Sequence, residues 1–218
     1  MGNTGWSYDD VLPFFKKMEN YQGNTSELRG EEGPLKVSEV SDRNPIYDAI
    51  FKSGEVNNIP FNKDYNGEDQ EGLGYTQTTI YKGERMSAEV AYLRPIKSRK
   101  NLTIITNSLV TKLLFEKKKC IGVEVKNKNK LSTFMTSKEV ILSGGAINSP
   151  QILELSGIGN SSILKKNGIE PIHHLVGVGE NLRDHIAPRI IYRVKKEGIS
   201  YNDKAGGINL VKQVFKYM

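Results

Sequence analysis

The residues best suited to chemistry in this chain stand consecutively, as Val140-Ile141-Leu142-Ser143-Gly144-Gly145-Ala146-Ile147-Asn148-Ser149-Pro150. An apolar run, a glycine turn and a helix start follow one another. Small residues let a ligand approach the main chain, and the free N–H groups at a helix N-terminus favour anionic or electron-rich groups. The same turn also fits a tight strand-to-helix connection in a packed core. Three histidines, His173, His174 and His185, offer neutral imidazoles that could take a proton. His173 and His174 are adjacent and point two ways in an extended chain, and Asp184 beside His185 reads as a loop hydrogen-bonding pair. We therefore assign no catalytic residue and no metal ligand. The single cysteine, Cys120, rules out an internal disulfide framework and a thiolate metal site.

These groups are positioned by a recognisable order of elements. Ser7 with Asp10 starts a first helix that carries Val11, Phe14, Phe15 and Met18, interrupted early by Pro13. A Gly- and Asn-rich connection fills Tyr21 to Val40. Asn44-Pro45 opens a second helix, which Gly54 is expected to close. A permissive loop follows from Phe61 to Gln77. Between Asn101 and Ser143 the apolar pattern turns strand-like, over Leu102–Thr106, Leu109–Glu116, Cys120–Val125, Leu131–Met135 and Val140–Leu142. Ser149-Pro150 is expected to cap a short helix stopped by Gly157, and another short helix precedes Gly168. The stretch Ile208 to Tyr217 is weakly amphipathic.

Composition narrows the function classes. With 218 residues, 37% of them hydrophobic, the chain can bury a core. No stretch is long and apolar enough for a transmembrane segment, and Met1-Gly2-Asn3 does not open a signal peptide. The chain is expected to be soluble, and cytoplasmic rather than secreted. Asn-x-Ser/Thr triplets at Asn24, Asn101 and Asn160 would matter only after secretion. Lys and Arg outnumber Asp and Glu by 31 to 25, a net charge of +6, and this excess is spread along the chain. A nucleic-acid partner is therefore not expected.

The block Gly145 to Gly159, Gly-Ala-Ile-Asn-Ser-Pro-Gln-Ile-Leu-Glu-Leu-Ser-Gly-Ile-Gly, resembles the second signature of the glucose-methanol-choline (GMC) oxidoreductases. Further motifs stand in the family's order: Gly5-Trp6-Ser7-Tyr8-Asp9-Asp10, Asp64-Tyr65-Asn66-Gly67, Gly83-Glu84-Arg85-Met86-Ser87-Ala88 and Val178-Gly179-Glu180-Asn181-Leu182. Their tone is similar to the choline dehydrogenase-like branch. The resemblance implies an FAD enzyme that oxidises the CH–OH group of a small alcohol, passes hydride to the flavin and hands electrons to an acceptor. It implies that the backbone of Val110 meets the adenine and that Ser143, Gly144 and Gly145 lie beside the dinucleotide. Arg85 and Ser87 would lie near the flavin or its covering loop. Ser143-Gly144-Gly145 replaces the commoner Ser-Ala-Gly, and Arg183 stands where relatives carry Gln.

The resemblance further implies an α/β fold: a partial Rossmann-like FAD-binding domain plus a partial antiparallel-sheet substrate domain. Residues 1–35 would be a helix and connecting loop, 36–100 part of the substrate or FAD-covering region, 101–185 part of the FAD-binding domain, and 186–218 the start of a second substrate-domain segment. The family's Gly-x-Gly-x-x-Gly and its C-terminal active-site His have no counterpart here. The chain accordingly reads as an internal fragment, inactive by itself. A catalytically inactive binding remnant of the same fold is the alternative reading.

Overall fold

A computed structural model describes residues 4–24 and 26–217, with the side chains of Lys204, Lys216 and Tyr217 outside that description. Met1–Asn3 and Thr25, the middle residue of the Asn24 triplet, also lie outside it. The chain divides into two units, one of residues up to Leu102 with Ile191 onward, the other Thr103–Ile190.

In the first unit, α1 (Tyr8–Met18) begins at Ser7 because two groups close its first turn. The Ser7 hydroxyl accepts from the Asp10 N–H at 3.3 Å, and the Asp10 carboxylate accepts from the Ser7 N–H at 3.0 Å. Hydrogen bonding from Ser7 holds the Asp10 carboxyl below its ordinary 3.8. The helix passes through Pro13 without breaking, since proline there removes one internal bond at an exposed position. The expected connection over Tyr21–Val40 instead contains strand: β1 (Glu19–Tyr21) runs parallel to β2 (Leu35–Glu39). β1 is too short to show a period of two, and the brief alternation Leu35-Lys36-Val37-Ser38 in β2 directly follows the Gly33-Pro34 breaker in a stretch whose composition reads as loop. β2 also pairs, antiparallel, with β3 (Gln77–Thr78) after α2 (Pro45–Val56).

Asn44 caps α2 by accepting from the Ile46 N–H at 3.0 Å, as its sequence predicts. Gly54, however, does not end the helix. It is buried within it, and a Cβ there would stand 2.5 Å from Leu73 Cδ1. The glycine serves a close approach, and the helix runs on to Val56. β4 (Ile80–Tyr81) and β5 (Glu84–Arg85) form a hairpin whose two turn residues, Lys82 and Gly83, both have positive φ. A turn of π-helix, Glu89–Leu93, and a 3-10 turn, Arg94–Ile96, complete this part.

The second unit is built on an antiparallel meander, β6 (Leu109–Glu116), β7 (Lys119–Asn127) and β8 (Lys130–Met135). Leu113 and Val125 are buried on one face. α3 (Gly145–Leu155) packs against β6, then β9 (Ile158–Gly159), α4 (Ser161–Lys166) and β10 (His173–His174) follow, with β9 and β10 parallel. α3 starts five residues before Pro150 rather than at it, because the turn at Gly144-Gly145 leads straight into the helix. The expected strands over Leu102–Thr106 and Val140–Leu142 are not formed, and these residues join no sheet among the described residues. A strand exists only when a neighbour takes its N–H and C=O groups. Ile105 and Ile141 accordingly remain 52% and 79% exposed. The chain returns to the first unit as α5 (Tyr201–Lys204) and α6 (Gly207–Tyr217). The mixture of helices with parallel and antiparallel strands agrees with the expected partial α/β fold.

Candidate functional site

The glycine turn is built for close approach to the main chain. Gly145 has φ +84°, a left-handed conformation that resists any side chain, and a Cβ there would meet nothing within 4 Å. At Gly144 a Cβ would press on Asn148 Cβ at 3.2 Å, so the turn sits flush against its own helix. Gly144 provides no side-chain cap, which leaves the leading N–H groups of α3 free for another acceptor. Ser143, Gly144 and Gly145 are all exposed.

The far end of α3 is closed. Ser156, 5% exposed, accepts from the Leu113 N–H of β6 at 2.7 Å while its hydroxyl donates to the Ile152 carbonyl. This ties the helix to the strand that carries Val110. Val110 is half-buried and pairs with Val125, so its backbone is held in register by the meander.

Along α3 lies a cleft of about 620 Å³. Ala146, Pro150 and Leu153 form one wall, and Leu175, Val178 and Leu182 belong to the other. The structure thus brings the Gly145–Gly159 block against the glycine-led loop. That loop turns on Gly179 and Asn181, with φ of 78° and 57°. A Cβ at Gly179 would stand 3.6 Å from Glu154 Oε1 on α3. Gly145 adjoins the cleft through Ala146, whereas Val110 does not line it. Arg183, the departure from the family pattern, does line it and brings a fixed positive charge.

The remaining candidates have local duties. His174 Nδ1 accepts from the Ser161 N–H at 3.1 Å, and His185 donates its N–H to Asp184 at 2.8 Å. Ser87 caps the π-helical turn by accepting from the Val90 N–H, and Arg85 is exposed on β5. Among the described residues no group of three or more His, Cys, Asp or Glu side chains could hold a metal ion. No described helix is long and apolar enough to cross a membrane.

One cluster escaped the sequence reading. The Arg29 guanidinium, its side chain 3% exposed, grips Glu19 with two bonds of 2.6 and 2.9 Å, reaches Asp64 at 2.6 Å and Gln77 at 3.0 Å, and lies over the Tyr21 ring. Burial works to lower the Arg29 pKa, but the hydrogen bond and charge of Glu19, with Asp64, outweigh it and hold it above its ordinary value. Burial first, then the Asp64 charge, pushes the Tyr21 phenol up. Its hydrogen-bonding partners lie 10 to 48 residues from Arg29 and follow no spacing rule, so no sequence signal announces it.

The profile of the GMC oxidoreductase family matches residues 1–187. The chain belongs to this family. Human mitochondrial choline dehydrogenase is 45% identical over 185 residues, which are 85% of this chain and 31% of that protein. Oxygen-dependent choline dehydrogenase of Staphylococcus aureus strain MSSA476 is 43% identical over 197 residues, 89% of this chain and 34% of that protein. An FAD-dependent oxidoreductase from Chaetomium thermophilum superposes with a TM-score of 0.74 at 29% identity, over 80% of this chain and 33% of that one. Pyridoxine 4-oxidase from Mesorbium loti gives 0.71, also at 29% identity, over 79% of this chain and 34% of that one. This GMC chain spans about a third of the length of the curated relatives it matches.

Proposed function

We propose that this GMC chain forms part of an FAD-dependent oxidoreductase of the choline dehydrogenase type, acting on the CH–OH group of a small alcohol. The observation that carries it is the open turn at Gly144-Gly145: an uncapped helix start whose backbone is free of side chains, beside a cleft walled by a second family motif. Exposed N–H donors with no bulk in front of them fit an electron-rich cofactor. FAD, when bound, supplies the acceptor for the hydride that leaves the carbinol carbon. The chain's own residues bind and shield. The backbone at Gly145 and Ala146 donates hydrogen bonds, Ser143 and Gly144 keep the approach narrow, and Val110 offers its strand backbone to the adenine. Leu153, Leu175 and Val178 keep the cleft wall apolar and limit water.

On this reading residues 101–185 are part of the FAD-binding domain, 1–35 and 36–100 the helix, loop and covering region, and 186–218 the start of a second substrate-domain segment. The electrons pass on to an acceptor. Photolabelling of the chain with 8-azido-FAD, followed by peptide mapping, tests the adenine assignment. Label in the peptide containing Val110 is expected, and label confined to other peptides refutes it. Gly145→Val, checked for folding by circular dichroism, should weaken FAD binding about tenfold, the loss of roughly one charge-assisted hydrogen bond. Unchanged affinity would remove the turn from the site.

A further inference from the structure

The strand that carries Val110 contains an extra residue. Along β6 and β7, Leu109 pairs with Lys126 and Val110 with Val125, and the next pairs are Lys112 with Glu124 and Leu113 with Val123. Thr111 stands opposite no residue and forms a β-bulge. Paired residues of an antiparallel ladder share a face, and so do Val123 and Val125 on β7. Val110 and Leu113 therefore lie on one face, although residues three apart on an uninterrupted strand point to opposite ones. In unbroken register Thr111 would take the place opposite Val125, and Val110 would fall on the face of Lys126. The bulge is what turns Val110 toward the buried Val125 and Leu113.

A bulge disrupts the ladder where it sits, so its geometry needs another hold. Glu124 supplies it. The Thr111 hydroxyl donates to Glu124 Oε1 at 2.6 Å, with the Glu124 carbonyl at 3.3 Å. The other oxygen of the same carboxylate stands 3.7 Å from Lys112 Nζ. Glu124 thus holds both residues that follow Val110, the extra one and the one at which pairing resumes. The Lys112 contact is long and half-exposed, and adds little. The hydroxyl–carboxylate bond is short and charge-assisted, on a Glu124 side chain only 22% exposed, and it dominates.

We propose that Thr111 and Glu124 are positioning residues of the cofactor site: their bond fixes the bulge, and the bulge sets where the Val110 backbone meets the adenine half of the dinucleotide. This rests on the assignment of Val110 to the adenine. Labelling of the full chain with 8-azido-FAD tests it, read as the share of all label that falls in the peptide containing Val110. Thr111→Val keeps the side chain's shape and removes its hydroxyl, and should lower that share about fivefold, the loss of one neutral hydrogen bond at the adenine. Glu124→Leu should do the same, and the double variant should lose no more than either single one, since both break one bond. Thr111→Ser retains the hydroxyl and should retain the share. A fall in total label with its distribution unchanged would overturn the proposal, by showing that the pair only stabilises the sheet. A loss with Thr111→Ser as large as with Thr111→Val would overturn it too. Label at Val110 that ignores Thr111→Val sinks this proposal alone, whereas no label there in the unaltered chain refutes the adenine assignment and the proposal with it.

Discussion

α1 and α3 are helices of equal length that begin in opposite ways. At α1 the first turn is closed by its own side chains, Ser7 and Asp10 answering each other's backbone N–H groups. At α3 the first turn starts on glycine, has no side-chain cap and carries no acid. The contrast extends to their surroundings. Near α1 the charged groups close on one another, Arg29 serving Glu19, Asp64 and Gln77 at once. Near α3 a cleft begins at Ala146, next to the uncapped donors. A helix end that only has to stay folded uses its polar groups internally. The start of α3, where we propose the cofactor binds, leaves them open, and the helix is tied down from its far end.

The largest test strikes the closed region. Arg29→Met would leave Glu19 and Asp64 as two part-buried carboxylates without their cation, and breaking such a pair costs about 3 kcal/mol or more. Urea unfolding followed by circular dichroism should show that loss. If Arg29→Met unfolds at the same urea concentration, the cluster is not what holds β1, β2 and β3 together.

The next sharpens the idea that α3 is held from behind. Ser156→Ala removes the acceptor of the buried Leu113 N–H, and an unsatisfied buried donor costs about 1–3 kcal/mol. The loss should appear as faster hydrogen exchange in both α3 and β6. Exchange that rises in α3 alone would mean that the serine only finishes its own helix and does not dock it.

How far each region was legible follows from the range of the interactions that make it. The caps at Ser7 and Asn44 are written in neighbouring residues, and the glycine turn at Gly145 demands a left-handed backbone that only its own residue type reveals. Gly54 was misread because its function depends on Leu73, a contact across the fold. β1 is too short for periodicity, the alternation in β2 is brief and set in loop-like composition, and Arg29 gathers partners from three separate segments. In the site, the two family motifs could each be seen in sequence, but that they face each other across one cleft could not. Leu102–Thr106 and Val140–Leu142 have strand composition, yet composition cannot provide the neighbour that makes a strand.

The smallest effect separates the two helix starts by pH. Hydrogen bonds from Ser7 favour the Asp10 carboxylate and set its pKa below the ordinary 3.8 in the folded chain. A depressed carboxyl adds stability above its unfolded pKa, and that contribution fades as pH falls through the folded value. Exchange of the α1 first-turn amides should therefore quicken, relative to the intrinsic rate, as the pH is taken below about 4. Asp10→Asn should flatten the dependence. The corresponding turn of α3 has no acid to protonate, so its amides should track the intrinsic rate across the same range. Parallel behaviour of the two helices would mean that acid loosens the fold as a whole, and that the capping carboxylate has no separate part in it.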